Sequence, residues 1–190
     1  MKYIKEPSGQ KLKWMQPNAL IRYHELRSDG SLYATLKWKK MFGSLAVVEC
    51  SEGRFTFKRA GFLRPYVTVR GEDSEGDLAT MRFRSGSVMM NTAFGLSGAL
   101  EFETGPRFAF NRLSFWKSRW AFADENGTPL ATFDRKMKGK PTASVTINCD
   151  FRHIPYLHIL LVLGWYVIIL DYEEAEAAIG TGLVASPSLG

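Results

Sequence analysis

The sequence is poor in the residues on which secreted scaffolds and metal centres depend. Of its 190 residues, two are cysteine and three are histidine. Two cysteines are too few for a disulfide scaffold. Cys50 and Cys149 lie in apolar, strand-like contexts, so we expect two buried thiols in a reducing compartment. His153 and His158 are five positions apart, which places them about 140° apart around a helix and away from a shared metal-facing side. We therefore expect no bound metal.

Sequence motifs for catalysis and for secretion are also missing. The chain has no Gly-x-Ser-x-Gly elbow, no phosphate-binding P-loop and no dinucleotide fingerprint. Its first twenty residues contain no apolar stretch of the length that a secretory signal needs. We therefore expect a cytoplasmic protein that is not an enzyme and uses no cofactor.

Charge is plentiful but unevenly distributed. The net charge is +6, and the segment from Asp150 onward carries one arginine and five acids, a net of −4, which leaves +10 for residues 1–149. A basic body suits an anionic partner such as phospholipid head groups or nucleic acid. A soluble surface of high pI would account for the same pattern.

Internal repetition organises the chain before residue 150. The hexapeptide RFTFKR at 54–59 recurs as RFAFNR at 107–112, and each copy is followed by a phenylalanine three residues later. The triplet LAT at 78–80 recurs at 130–132, which gives a period of about 52 residues. Similarity at a fixed period indicates a repeated supersecondary unit.

Hydrophobic and polar residues alternate within each repeat. Phe55 and Phe57 face one way and their neighbours the other, as is typical of half-buried antiparallel strands. About twelve such runs, four in each of three repeats, predict a closed barrel, because a propeller needs at least four blades. The predicted strands are residues 18–25, 31–40, 44–50, 53–59, 65–71, 77–84, 86–91, 98–103, 106–112, 118–124, 129–136 and 142–148.

One uncharged run, residues 154–170, is apolar on every face, which is typical of a buried central helix or of a membrane span. As a helix it would extend about 26 Å, just short of the ~30 Å hydrocarbon core of a bilayer and close to the height of six- to eight-residue strands. A twelve-stranded barrel is too wide for its own side chains to fill. We therefore predict a helix threaded through the barrel, with a membrane anchor as the alternative.

The predicted fold class is mainly β: a twelve-stranded, mostly antiparallel closed barrel around a central hydrophobic C-terminal α-helix. Residues 1–17 are predicted to form an N-terminal extension and residues 18–180 a single barrel domain, with the central helix at about 153–179. Residues 181–190, rich in Gly, Ser and Pro, are predicted to be a flexible tail.

The order of these features resembles the tubby C-terminal-like superfamily, in particular its LURP-one-related and phospholipid-scramblase-like branch. The resemblance covers roughly residues 18–180 and rests on the RFxFxR pair and on three further segments, 126–136 (NGTPLATFDRK), 143–149 and 163–172 (LGWYVIILDY). It implies a twelve-stranded barrel around a hydrophobic C-terminal helix. It also implies a membrane-associated role: phosphoinositide-dependent tethering in tubby proteins, and the lipid movement attributed to scramblases.

The chain departs from this family in ways that limit what is transferred. It has no cysteine run like that of scramblases, and the acids after residue 170 lack the glycine and the spacing of a calcium loop. The end-motif of tubby proteins is also missing. The resemblance therefore implies neither calcium-driven scrambling nor any particular phosphoinositide-binding residue.

Two basic clusters are the candidate functional residues. Both follow a repeated LAT-type strand, so a repeat fold would bring them to similar heights on the barrel. Each basic residue near an anionic membrane contributes about 1 kcal/mol to the binding free energy, and four or more would give transient docking. Solvated lysines that protect strand edges would produce the same sequence pattern. The candidate anionic-ligand residues are Lys37, Lys39, Lys40, Arg135, Lys136, Lys138 and Lys140.

We therefore expect a monomeric, cytoplasmic domain that binds anionic membrane phospholipid, or a protein partner, at the membrane periphery. A nucleic-acid-binding module that uses the basic barrel surface is the second hypothesis, and it would need aromatic side chains exposed beside a basic groove. Trp38, Trp116 and Trp120 lie near basic residues, but their place in alternating strands favours core packing. The third hypothesis is a bitopic anchor through residues 154–170.

Overall fold

Twelve antiparallel strands form a closed barrel. A computed structural model describes Met1 and residues 11–83, 96–114, 118–136, 140–148 and 154–180. Each strand pairs with its neighbours in the sequence, and the first pairs with the last to close the ring. The strands are β1 (Leu12–Met15), β2 (Tyr23–Ser28), β3 (Ser31–Trp38), β4 (Ala46–Cys50), β5 (Gly53–Ala60), β6 (Tyr66–Gly71), β7 (Ala79–Phe83), β8 (Gly98–Phe102), β9 (Arg107–Ser114), β10 (Arg119–Ala123), β11 (Pro129–Arg135) and β12 (Thr142–Ile147).

The predicted fold class is confirmed, but the barrel begins earlier than predicted. Strand β1 lies within residues 1–17, before the expected domain boundary, and its Leu12 and Trp14 are buried. A four-residue strand is too short to show a convincing alternation in the sequence. Residues 18–22 form a turn instead of the start of a strand, and the Leu20 N–H donates to Oδ1 of Asn18 at 2.9 Å. The predicted strand 86–91 and tail 181–190 lie outside the described residues.

The helix α1 (Leu157–Gly180) follows the barrel and occupies its interior. It begins after Pro155 and Tyr156 rather than at residue 153. Tyr156 has a φ of 58°, which breaks the helical backbone there, and its carbonyl accepts hydrogen bonds from the N–H groups of Ile159 and Leu160. The last residue of the helix, Gly180, lies one position beyond the predicted limit of 179 and is also the last described residue.

The first half of α1 is buried on all sides by strands from around the ring. Every residue from Ile159 to Ile169 is buried. Trp165 stacks on Trp14 of β1 with ring centroids 6.1 Å apart, and Tyr166 stacks on Trp38 of β3 at 5.6 Å. The strands therefore cover the apolar surface of the helix. Within the described residues, no helix combines the length and the apolarity needed to cross a membrane.

Gly164 lies where the helix packs tightly against the barrel wall. A Cβ atom at this position would stand 2.5 Å from Cζ and 2.7 Å from Cε2 of Phe133 on β11. Phe133 is fully buried, so its ring has little room to retreat. The single glycine in the apolar run therefore makes space for an aromatic ring of the wall.

The connections between strands fall into two sets, because the strands run alternately up and down. The start of α1 lies at one end of the barrel, where Tyr156 stacks on Phe102 at the end of β8. The loops at this end are β2–β3 (29–30), β4–β5 (51–52), β6–β7 (72–78), β8–β9 (103–106) and β10–β11 (124–128). At the opposite end the polar half of α1 emerges. The described connections there are β1–β2 (16–22), β3–β4 (39–45), β5–β6 (61–65) and parts of β7–β8 (96–97), β9–β10 (118) and β11–β12 (136, 140–141).

Candidate functional site

The five loops at the end where α1 begins carry acidic side chains and no basic ones. We call this end of the barrel the acidic end. All five loops belong to the described part of the chain, and together they hold nine acids: Asp29, Glu52, Glu72, Asp73, Glu75, Asp77, Glu103, Asp124 and Glu125. This end is therefore repelled by an anionic surface.

The opposite end of the barrel has the opposite charge, and we call it the basic end. The described parts of its loops hold six bases and no acid: Arg22, Lys39, Lys40, Arg64, Lys136 and Lys140. The two ends are separated by strands of four to eight residues, which is about 20 Å. The charge is thus divided along the barrel axis, and not only between the barrel and the C-terminal segment.

The structure places both predicted basic clusters at the basic end. Lys39 and Lys40 lie in the β3–β4 loop, and Lys136 and Lys140 flank the β11–β12 connection; all four are exposed. Lys37 is exposed on the outer face of β3, one residue before the strand ends. Lys138 lies outside the described residues.

The β1–β2 loop joins the two clusters into one surface. Lys140 Nζ donates to the carbonyl of Pro17 in this loop at 3.3 Å. Nη1 of Arg22, at the other end of the loop, donates to the carbonyls of Lys40, Met41 and Gly43 at 3.3, 3.1 and 2.8 Å. Residues that are far apart in the sequence therefore form a continuous rim.

Arg135 differs from the other candidate residues because it faces the helix. It is half-buried, and its guanidinium carbon lies 3.7 Å from the ring centroid of Tyr172. Burial lowers the pKa of Arg135 and raises that of Asp171, although Arg112 and Arg135 oppose the change at Asp171. Arg135 thus contacts the polar half of α1, whereas the neighbouring lysines face solvent.

The acids of α1 reach the basic end but are met there by arginines. Glu173 accepts hydrogen bonds from Nε and Nη2 of Arg22 at 2.9 and 2.5 Å. Burial raises the pKa of Glu173, and Arg22 opposes this effect. Glu174 forms an ion pair with Arg59. The other two acids of α1 also have partners, since Asp171 interacts with Arg112 and Arg135 and Glu176 accepts a hydrogen bond from the Tyr172 hydroxyl. The acidic half of α1 therefore leaves the loop lysines available to another anion.

Large apolar side chains are exposed beside these lysines, a feature that the sequence does not predict. They occupy three of the loops at the basic end. The exposed fractions are 80% for Leu20, 47% for Ile21, 61% for Met41, 89% for Phe42, 96% for Phe62 and 78% for Leu63. The pairs Met41–Phe42 and Phe62–Leu63 lie between the predicted strands, where periodicity gives no signal, whereas Leu20–Ile21 was wrongly assigned to the predicted strand 18–25.

An open cleft of about 1060 Å³ separates these loops from the emerging helix. Apolar side chains line part of it, among them Met41, Phe42 and Phe62. Its remaining lining includes the Arg22–Glu173 ion pair. The cleft therefore combines apolar walls with neutralised charge.

Comparison with known proteins provides no relative. A scan against protein-family models, a search of curated proteins and a search of solved structures each found no match to this chain.

The remaining residues considered in the sequence lie elsewhere. Cys50 is half-buried rather than buried, and burial raises the pKa of its thiol to about 12, which keeps it protonated. Burial lowers the pKa of His158, which packs against Phe55. Trp38 and Trp120 are buried, as predicted. Cys149, His153 and Trp116 are outside the described residues, and within those residues no group of three or more His, Cys, Asp or Glu side chains is placed to hold a metal ion.

Proposed function

We propose that this chain is a tubby-like domain of the LURP-one-related and scramblase-like kind, and that its basic end docks on anionic membrane surfaces. The closed twelve-stranded barrel around an apolar C-terminal helix is consistent with this family. The observation that carries the function is the separation of charge between the two ends of the barrel. The domain acts in this proposal by binding, at the cytoplasmic periphery of the membrane.

The charge separation favours one orientation on an anionic surface. Each basic residue near such a surface contributes about 1 kcal/mol to binding, and the described loops of the basic end have five bases besides Arg22, which pairs with Glu173. The Debye length at ordinary salt is about 8–10 Å. The acids at the far end, about 20 Å away, are therefore screened from a surface that touches the basic end. Docking through the acidic end would instead bring nine carboxylates against lipid phosphates, and only Glu72 and Asp77 among them pair with an arginine of the described residues.

Co-sedimentation with vesicles tests this function. Vesicles of phosphatidylcholine alone and vesicles that also contain phosphatidylserine are compared at low and high salt. We expect binding only to the anionic vesicles, and weaker binding as salt increases. The variant Lys39→Gln/Lys40→Gln should bind about 30-fold more weakly, because two contributions of about 1 kcal/mol are lost.

A matched variant controls for net charge. Arg54→Gln/Arg107→Gln removes the same two charges from exposed side chains on the barrel wall and should leave vesicle binding within about twofold of wild type, because neither arginine lies at the basic end. Equal losses in the two variants would show that binding follows total charge, and the proposed docking end would be wrong. Salt-sensitive binding to single-stranded nucleic acid without vesicle binding would favour the second hypothesis instead.

A further inference from the structure

Six large apolar side chains are exposed together at the basic end. They lie in pairs, Leu20–Ile21, Met41–Phe42 and Phe62–Leu63, in the β1–β2, β3–β4 and β5–β6 loops. These are consecutive loops at that end, and Met41, Phe42 and Phe62 line the same cleft. Single exposed apolar residues are ordinary, but a contiguous group rimmed by polar residues marks an interaction surface.

The loops hold these side chains outward instead of letting them collapse onto the barrel. Gly61 has a φ of 80°, and a Cβ atom there would lie 2.4 Å from the carbonyl oxygen of Arg64, so the β5–β6 turn requires glycine. In the β3–β4 loop, Arg22 donates to three backbone carbonyls. The buried Tyr166 donates its hydroxyl to the carbonyl of Ser44 in that loop at 2.5 Å. Preorganised loops lose little conformational freedom when they bind.

We propose that these three loops insert their apolar side chains into the hydrocarbon region of the leaflet on which the basic end docks. The proposal rests on the proposed function and adds a second, non-electrostatic component to it. Lys39 and Lys40 precede the Met41–Phe42 pair and Arg64 follows the Phe62–Leu63 pair. Long basic side chains at the base of an apolar tip reach lipid phosphates while the tip lies deeper.

The identity of the side chains and the charge of this end favour a bilayer over other occupants. Phe42 and Phe62 offer exposed aromatic faces, but the other four residues are aliphatic or methionine and offer none for stacking nucleic-acid bases. A symmetric dimer through this end would bring its four loop lysines and Arg64 against the same residues of the second copy. A bilayer with anionic head groups instead meets both the bases and the apolar tips.

The variant Phe42→Gln/Phe62→Gln tests insertion, and Leu113→Gln is its control. Leu113 is a large apolar residue on the outer wall near the basic-end terminus of β9, outside the three loops, with an exposed fraction of 50%. Wild type should retain measurable binding to anionic vesicles at high salt, where the electrostatic contribution is screened. The double variant should lose this salt-resistant binding and bind at least tenfold more weakly at low salt. Leu113→Gln should bind like wild type.

Failure of insertion differs from failure of membrane binding. If wild type does not bind vesicles in any salt, the proposed function itself is wrong. Wild type could instead bind vesicles only at low salt, with Phe42→Gln/Phe62→Gln binding equally well. Docking would then be purely electrostatic, and insertion would be refuted. A dimer in solution that the same variant dissociates would assign the loops to a second copy and also overturn insertion.

A tryptophan probe measures depth directly. In Phe42→Trp the added indole should be quenched by vesicles of brominated phosphatidylcholine and phosphatidylserine, because bromine atoms lie on the acyl chains. Wild type supplies the background, and its described tryptophans, Trp14, Trp38, Trp120 and Trp165, are buried. Quenching above that background supports insertion. A bound variant whose added emission is unquenched would place the loop at the head groups and contradict it.

Discussion

Replacing Gly164 by alanine should destabilise the protein, although alanine is the better helix former. In an unobstructed helix the change would stabilise by about 1 kcal/mol. Here the new Cβ would lie 2.5 Å from Cζ of Phe133, inside a packed barrel. Overpacking of this kind costs about 1–3 kcal/mol, which exceeds the helix gain. We expect a net loss of about 1 kcal/mol in the free energy of unfolding, measured by urea titration.

A double-mutant cycle identifies the cause. Phe133→Leu alone should destabilise by about 1–2 kcal/mol because it removes buried ring atoms. Combined with Gly164→Ala it should be less harmful than the sum of the two single changes, by about 1 kcal/mol or more, since the smaller side chain makes room for the methyl group.

The matched control is Phe57→Leu, which removes the same atoms from an equally buried phenylalanine on β5, opposite β11 in the ring. Its effect should add to that of Gly164→Ala within about 0.5 kcal/mol. If Gly164→Ala instead stabilises the protein by about 1 kcal/mol, or if the cycle with Phe133 is additive, then the helix does not press on the wall at this point. The threaded packing described above would be wrong there.

Three further changes test the architecture around the site. Burial lowers the pKa of His24 to about 4 from its ordinary 6.5, so on acidification the unfolded chain binds the extra proton first. The contribution of His24 to stability is complete above about pH 6.5, and the free energy of unfolding should fall by about 3 kcal/mol between that pH and about pH 4. In urea titrations His24→Gln should show a correspondingly smaller drop. Arg22→Lys should destabilise the protein by about 1–3 kcal/mol, because a lysine cannot form a bidentate pair with Glu173 and also donate to three loop carbonyls. Glu173→Gln leaves those carbonyl hydrogen bonds intact, so it should lower the thermal stability less than Arg22→Lys does. Tyr166→Phe should cost about 1–2 kcal/mol, because the Ser44 carbonyl loses its buried donor; hydrogen exchange should then rise in the β3–β4 loop, and unchanged exchange there would count against the proposed anchoring.

The barrel and its filling were predictable because both depend on periodicity and composition. Phe55 and Phe57 alternate with polar neighbours and are buried, as expected. The apolar run 154–170 was expected to need a surrounding surface, and the strands supply it. Strand β1 was missed because four residues give too few positions to establish a period, and nothing near Trp14 indicates that it will stack on Trp165.

The charge separation was also present in the sequence, but it becomes visible only after the strands are counted. Successive loops alternate between the two ends, so the acids of residues 72–78 and the bases of residues 39–40 fall at opposite ends. The exposed pairs Met41–Phe42 and Phe62–Leu63 could not be predicted, because an apolar residue in a short loop reads equally well as a buried one. Their exposure follows from tertiary geometry, including the turn at Gly61 and the bonds from Arg22.

The most direct test of end-specific docking is hydrogen–deuterium exchange of the whole chain with and without phosphatidylserine-containing vesicles. We predict slower exchange in loops 16–22, 39–45 and 61–65 when vesicles are present, and unchanged exchange in loops 72–78, 103–106 and 124–128. Protection of the acidic loops, or protection spread evenly over the barrel wall, would contradict the proposal that this protein meets the membrane with its basic end.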